Sequence, residues 1–282
     1  MKLIPVSAGN MHSDGGTVFS VVPKVLWSKV YPANELNLVN IALRCLLVET
    51  NDRKILIETG AGSHYSEKYL RIHGMTEGNH LEEALIRAGC SPGSITDVLL
   101  THLHWDHFNG SVKKENDNLG LAFPNATYWS GKKQWEHSKI SNIREKIAYY
   151  EELLNFMMDS GRLKLIEKEG QIFPGIDVRF YDGHTPGQMI PFIRFGDKTI
   201  VYMADLIPTA ANIPVVWLAS FDLFPVTAMD EKEAFLKEAV EKKYILFFEH
   251  DYYTECATVK TGEKGYTVKD SGSLEDLRNR SL

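Results

Sequence analysis

The stretch from Thr101 to Gly110, THLHWDHFNG, carries the densest chemistry in the chain. Within it His102, His104, Asp106 and His107 set four candidate metal ligands close together. The run just before, ITDVLL from Ile95 to Leu100, is short, apolar and of strand type, and it follows Pro92 and Gly93. A buried strand there would deliver the histidines to its C-terminal end, where the chain turns. In extended backbone, side chains two apart point the same way, so His102 and His104 can grip one ion together. Asp106 and His107 lie in the turn beyond and can face a second ion. Imidazole suits zinc and similar divalent metals, and a carboxylate adds a hard oxygen. A histidine-rich loop with no ligand role is the plainer alternative. With only ten His in 282 residues, three of them plus an aspartate packed this tightly favour a metal site.

This pattern after an apolar strand resembles the signature of the metallo-β-lactamase superfamily. The resemblance asks for three further ligands downstream, and the chain supplies candidates in order: His184 in GHTPG, Asp205 in MAD and His250 in FFEHD. It implies an α/β fold, the four-layer αββα sandwich of that family, with residues 1–282 forming a single hydrolase domain. It implies two divalent ions, one held by His102, His104 and His184, the other by Asp106, His107 and His250, with Asp205 shared. Zinc is the expected metal, because His104 stands where flavodiiron relatives have an acidic residue. Manganese, cobalt and iron fit the same ligands. Two such ions about 3.5–4 Å apart hold a bridging water whose pKa falls to roughly 7, so hydroxide forms at neutral pH. The expected chemistry is metal-assisted hydrolysis without a covalent nucleophile, with Asp106 and Asp205 as its catalytic carboxylates.

Within the superfamily, the pattern DGG…VVPK…W between Asp14 and Trp27 resembles the branch of quorum-quenching N-acyl-homoserine lactonases and methyl parathion hydrolases. In that branch this segment helps to shape the substrate pocket, which makes Phe19 and Trp27 expected pocket residues. Trp217 and Phe221 join them from a second apolar stretch, LIPTAANIPVVWLASFDLFP. The expected substrate is a small lactone or ester next to an apolar group, with a phosphotriester or a broad range of esters as the alternative. A mononuclear iron dioxygenase, which uses fewer ligands, is the alternative of another class. A metal-stabilised binding protein is disfavoured, since every ligand position is filled. Three positions depart from the family pattern. Glu58 stands where aspartate is usual, Gln188 where a second histidine is frequent, and Pro208 where the lactonases carry a tyrosine.

The elements that must position these residues follow from hydrophobic pattern and turn chemistry. Strands are expected over 2–6, 41–49, 54–58, 126–129, 163–165, 177–181, 189–195, 199–203 and 244–248, with a terminal hairpin around TGEKG. Residues 13–35, and those from 111 up to the strand at Ala126, read as irregular loops. Asn79 caps a helix to about Ala88 with Gly89 as its stop, and Ser130 caps another helix. The pattern predicts one long helix over 140–160 and a helix from a Thr227/Asp230 capping box to Lys242. The last residues read as a frayed polar tail.

Composition narrows the function classes. Hydrophobic content of 44% supports a sizeable core, and the net charge of −6 argues against a nucleic-acid-binding surface. No run of eighteen apolar residues is present, so no membrane helix is expected. The N-terminus has no apolar region of signal-peptide length, which gives a cytoplasmic expectation and disfavours a secreted β-lactamase. Cys45, Cys90 and Cys256 are odd in number and scattered, which is no disulfide framework. The apolar faces around Tyr149 and along Phe19 to Tyr31 are candidate homodimer surfaces.

Overall fold

A computed structural model of the chain describes residues 1–63, 65–75, 80–116 and 118–280. It divides into two compact units, Met1–Met11 with Ala42–Lys168, and His12–Ile41 with Glu169–Leu282. Strand β1 (Lys2–Asp14) leads through α1 (Gly15–Phe19) and α2 (Lys24–Trp27) to β2 (Leu38–Glu49). A turn closed by Thr50 N–H on the Arg53 carbonyl, at 2.9 Å, returns the chain as β3 (Lys54–Ile57). Helices α3 (Glu67–Ile72) and α4 (Leu81–Arg87) precede β4 (Asp97–Leu99) and the one-turn helix α5 (Trp105–Phe108). A small hairpin, β5 (Val112–Glu115) and β6 (Asn118–Leu121), comes before β7 (Thr127–Gly131). Helices α6 (Lys132–Ile140) and α7 (Glu151–Asp159) follow, then β8 (Leu163–Ile166).

These strands form a sheet of order β1-β2-β3-β4-β7-β8. From β3 to β8 its neighbours are parallel, so β4 is a central strand with every residue buried. Parallel strands covered on both faces must be apolar throughout, which is why the Val98–Leu100 run is unbroken. Leu47, Leu56, Val98 and Leu100 pack with Leu153 and Met157 of α7 in the core of this unit.

The second unit holds β9 (Gly170–Phe173), β10 (Ile176–Tyr181), β11 (Gln188–Phe195), β12 (Lys198–Tyr202), β13 (Ile245–Phe247), β14 (Cys256–Gly262) and β15 (Gly265–Gly272), side by side in reverse order. All pairs are antiparallel except β12 with β13, which are joined by the long helix α8 (Pro225–Lys242). A parallel pair needs such a crossover. Helix α9 (Leu274–Asn279) closes the described chain. No helix among the described residues is long and apolar enough to cross a membrane. The three cysteines form no disulfide and are buried.

Several elements differ from the sequence reading. Strand β1 runs to Asp14, and two short helices replace the loop expected before Tyr31. The 111–125 region contains a hairpin, and Ser130 lies in β7, with Gly131 at the N-cap of α6. The helix expected over 140–160 survives only as α7. Asn142 Oδ1 takes the amides of Arg144 and Glu145, at 2.9 and 3.3 Å, and so competes with helical pairing. Ile140, Ile143 and Ile147, on the part of the segment that is not α7, are 80, 92 and 82% exposed. Helix α8 starts earlier than expected, at Pro225, and has no side-chain cap, so Thr227 and Asp230 do not form a capping box. Proline is well suited to the first helical position, where its missing N–H is no loss. The tail is ordered as α9 by a capping box between Ser273 and Asp276. The expected cap Asn79 lies outside the described residues, and His80 stands at the N-cap of α4.

Candidate functional site

His102, His104, Asp106 and His107 lie in the first unit, where β4 ends. The chain leaves the sheet at Leu100, whose amide donates to Trp129 O at 2.9 Å, and stays extended to His104 (φ −65°, ψ 155°). One turn, α5, then carries Asp106 and His107. Its C-terminal side is clamped by Thr59, whose N–H and Oγ1 both donate to the His107 carbonyl, at 3.0 and 2.8 Å. The glycine that ends the motif is sterically required. A Cβ on Gly110 would sit 1.9 Å from the Thr59 carbonyl oxygen.

His102 Nε2 and His104 Nδ1 face each other at 3.0 Å. Their outer nitrogens are engaged elsewhere: His102 Nδ1 with Thr101 Oγ1 at 3.0 Å, and His104 Nε2 with Glu145 Oε1 at 3.0 Å. Glu145 is buried and also meets His137 Nε2 at 2.6 Å and the Tyr149 hydroxyl at 2.8 Å. The His107 ring has Asp106 Oδ1 3.7 Å from Nε2 and Glu58 Oε2 3.7 Å from Nδ1. Glu58 holds a left-handed backbone (φ 65°), and its Oε1 accepts the Thr101 amide at 2.6 Å. The longer carboxylate therefore does reach the ligand loop, at some cost in backbone strain.

His184, Asp205 and His250 lie in the second unit. His184 sits in the β10–β11 turn. Glu231 of α8 accepts the amides of Asp182 and Gly183 there, at 2.7 and 2.9 Å, and Asp182 Oδ1 accepts the Gly187 amide at 2.8 Å. A Cβ on Gly183 would lie 2.3 Å from Ala228 Cα, so helix and turn touch backbone to backbone. Asp205 follows β12 through Ala204, another left-handed residue (φ 40°), and its amide donates to Gln188 Oε1 at 3.1 Å. Thus Gln188 supports a ligand's backbone. Past β13, Asp251 pins His250 by accepting the amides of Ala210, Tyr253 and Thr254, at 2.7 to 2.8 Å.

The two oxygens of Asp205 face different histidines. Oδ2 lies 3.1 Å from His184 Nε2, and Oδ1 lies 3.2 Å from His250 Nε2. His184 Nδ1 is 3.0 Å from Asp222 Oδ1. Buried imidazole nitrogens converging on each other, with their outer nitrogens oriented by hydrogen bonds, and a splayed carboxylate between histidines, are donor sets that fit divalent cations.

Of the expected pocket residues, Phe19 and Trp27 are fully buried and stacked at 5.0 Å, and Trp217 packs edge-on against Phe19 at 6.0 Å. Phe19 and Trp27 therefore lie in the interior, while Trp217 is half-buried. Phe221, 54% exposed, stands further out. Sequence reasoning did not single out Glu145 or Asp222, because a carboxylate that orients a histidine has no fixed spacing from it. It also passed over Thr101 and Thr59.

The model of the metallo-beta-lactamase superfamily matches residues 44–250, which spans every candidate ligand. An N-acyl homoserine lactonase of Bacillus thuringiensis is 28% identical over 233 residues, covering 77% of this chain and 84% of that protein. The crystal structure of a probable metal-dependent hydrolase from Staphylococcus aureus is 32% identical, covers 97% of both chains and superposes with a TM-score of 0.87. A dizinc quorum-quenching lactonase solved with a product shares the fold at 23% identity, covering 96% of this chain and 95% of its own, with a TM-score of 0.80. With its signature motif standing where a parallel strand ends, the chain belongs to the metallo-beta-lactamase superfamily and is one of its hydrolases.

Proposed function

We propose that this hydrolase is a lactonase, opening an N-acyl-homoserine lactone or a related lactone. In this reading His102, His104 and His184 hold one divalent ion, Asp106, His107 and His250 hold a second, and Asp205 serves both. The observation that carries the reading is Asp205, whose two oxygens each face a different histidine. Relatives named as lactonases support the substrate class.

Divalent ions held by these residues, zinc first among them, would supply Lewis-acid activation of water and of the scissile carbonyl at neutral pH. The rest is the work of the chain. A proton on His184 Nδ1, shared with Asp222, would leave the Nε2 lone pair available to a divalent ion. Glu145 does the same for His104 from the opposite ring nitrogen, so His104 offers Nδ1. These hydrogen bonds fix ring orientation and raise ligand basicity. Gln188 and the strained Ala204 hold Asp205 at the strand end. Trp217 offers an apolar ring for the group next to the lactone. Pro208 has no hydroxyl to give the lactone carbonyl, which favours phosphotriester hydrolysis as the second reading.

The test is metal content per purified chain, alongside hydrolysis of acyl lactones, aryl esters and a phosphotriester. Two zinc ions with lactone opening would support the proposal, and preference for the phosphotriester would favour the second reading. One iron ion without hydrolysis would overturn both.

A further inference from the structure

Helix α8 carries a lysine in the interior. Lys232 is 1% exposed, and its Nζ donates to the Trp217 carbonyl at 2.9 Å. Its neighbour Glu231 holds the amides just before His184. Asp222, which orients His184, acts electrostatically on the ammonium and opposes the downward pull of burial, which leaves Lys232 at about 7. Burying an amine this deeply costs free energy, and its hydrogen bond to the Trp217 carbonyl offsets part of that cost. The segment the lysine reaches, between Asp205 and α8, is also held by Ala210 N–H on Asp251, Asn212 Nδ2 on the Val18 carbonyl and Leu223 N–H on the His184 carbonyl, so what Lys232 adds is local to Trp217. Asn212 Nδ2 donates to the Trp217 carbonyl at a longer 3.3 Å, and Ser220 N–H donates to Thr17 O at 2.7 Å.

We propose that Lys232 is a positioning residue for the substrate-facing surface, fixing the Trp217 backbone and hence its ring. Resting on the lactonase reading, this makes Lys232 a determinant of acyl-group selectivity without touching substrate. One turn of α8 then sets both sides of the chemistry: Glu231 the histidine turn, Lys232 the apolar surface.

The decisive experiment uses the full chain labelled with 5-fluorotryptophan, whose five tryptophans give separate fluorine resonances, with Trp217 assigned through Trp217→Phe. In Lys232→Met the Trp217 resonance should shift and broaden while those of Trp105, Trp129 and Trp135 stay in place, and Lys232→Arg should restore much of its position. The kcat/KM ratio of a decanoyl to a butanoyl homoserine lactone should fall about tenfold in Lys232→Met. If methionine prevents folding, Lys232→Gln, too short to reach the carbonyl, should give the same shift. A Trp217 resonance identical to wild type in either variant would overturn the proposal. Absence of lactone turnover in the wild-type protein would instead reject the lactonase reading, and the fluorine spectra would still decide the role of Lys232.

Discussion

Asp222 decides how His184 presents its lone pair, from 38 residues away in sequence. Replacing it with asparagine keeps a side chain of the same size but removes the charge that makes the imidazole a better base. Metal affinity should fall about 10- to 100-fold with the fold intact, as read by competition with a chelator. Unchanged affinity would mean that Asp222 serves the local turn only, through its bond to Ala219 N–H. Gly110→Ala tests the other end of the motif. With the Thr59 carbonyl 1.9 Å from the new methyl carbon, the turn bearing His107 must move. A loss of about 3 kcal/mol is expected in denaturant unfolding, at the upper end of overpacking costs. At this scale the sequence is most legible where candidate ligands recur at short spacing after a strand, as His102, His104, Asp106 and His107 do. Asp222 and Glu145 are invisible there because their partners are brought to them by tertiary structure.

Among the elements, strands read more clearly than helices. Buried strands announce themselves as unbroken apolar runs, and β4, β12 and β13 each lie where such a run precedes a candidate ligand. The helix expected over 140–160 is cut short before α7 because Asn142 turns the backbone aside and Glu145 points inward to His104. Helix α8 was anticipated for its pattern, but its buried lysine was not, and that lysine gives a pH prediction with a definite sign. Burial lowers Lys232 from 10.5 to about 7, so the folded state prefers the neutral amine. The penalty is fully present below about pH 7 and is relieved as pH rises toward 10.5. It amounts to about 5 kcal/mol at its full extent. Wild-type stability to urea should therefore gain from pH 7 to pH 9 relative to Lys232→Met, which should be the more stable protein at pH 6. Parallel pH profiles for the two would contradict this. At the other end of the chain, Ser273→Ala removes the α9 capping box and should cost about 1 kcal/mol.

Taken whole, the chain assigns its large aromatic side chains to two different jobs, and a paired substitution separates them. Trp27 is 1% exposed and stacked on Phe19, and a Cβ on Gly15 would lie 2.2 Å from its ring, so its ring is packed tightly on two sides. Trp27→Ala should cost about 3–5 kcal/mol and lower activity on every substrate in proportion to the folded fraction. Trp217 meets Phe19 only edge-on and keeps part of its ring at the surface, so Trp217→Ala removes much less packing. Its melting temperature should stay within a few degrees of wild type, while kcat/KM for long-chain acyl lactones falls more than for short ones. Sequence alone placed both tryptophans in one pocket, because a half-buried apolar residue and a fully buried one look the same in composition. Burial distinguishes them. Equal melting temperatures for the two variants, or equal losses on long and short chains in Trp217→Ala, would show that the aromatic cluster works as one undivided core and leaves substrate length to be read elsewhere.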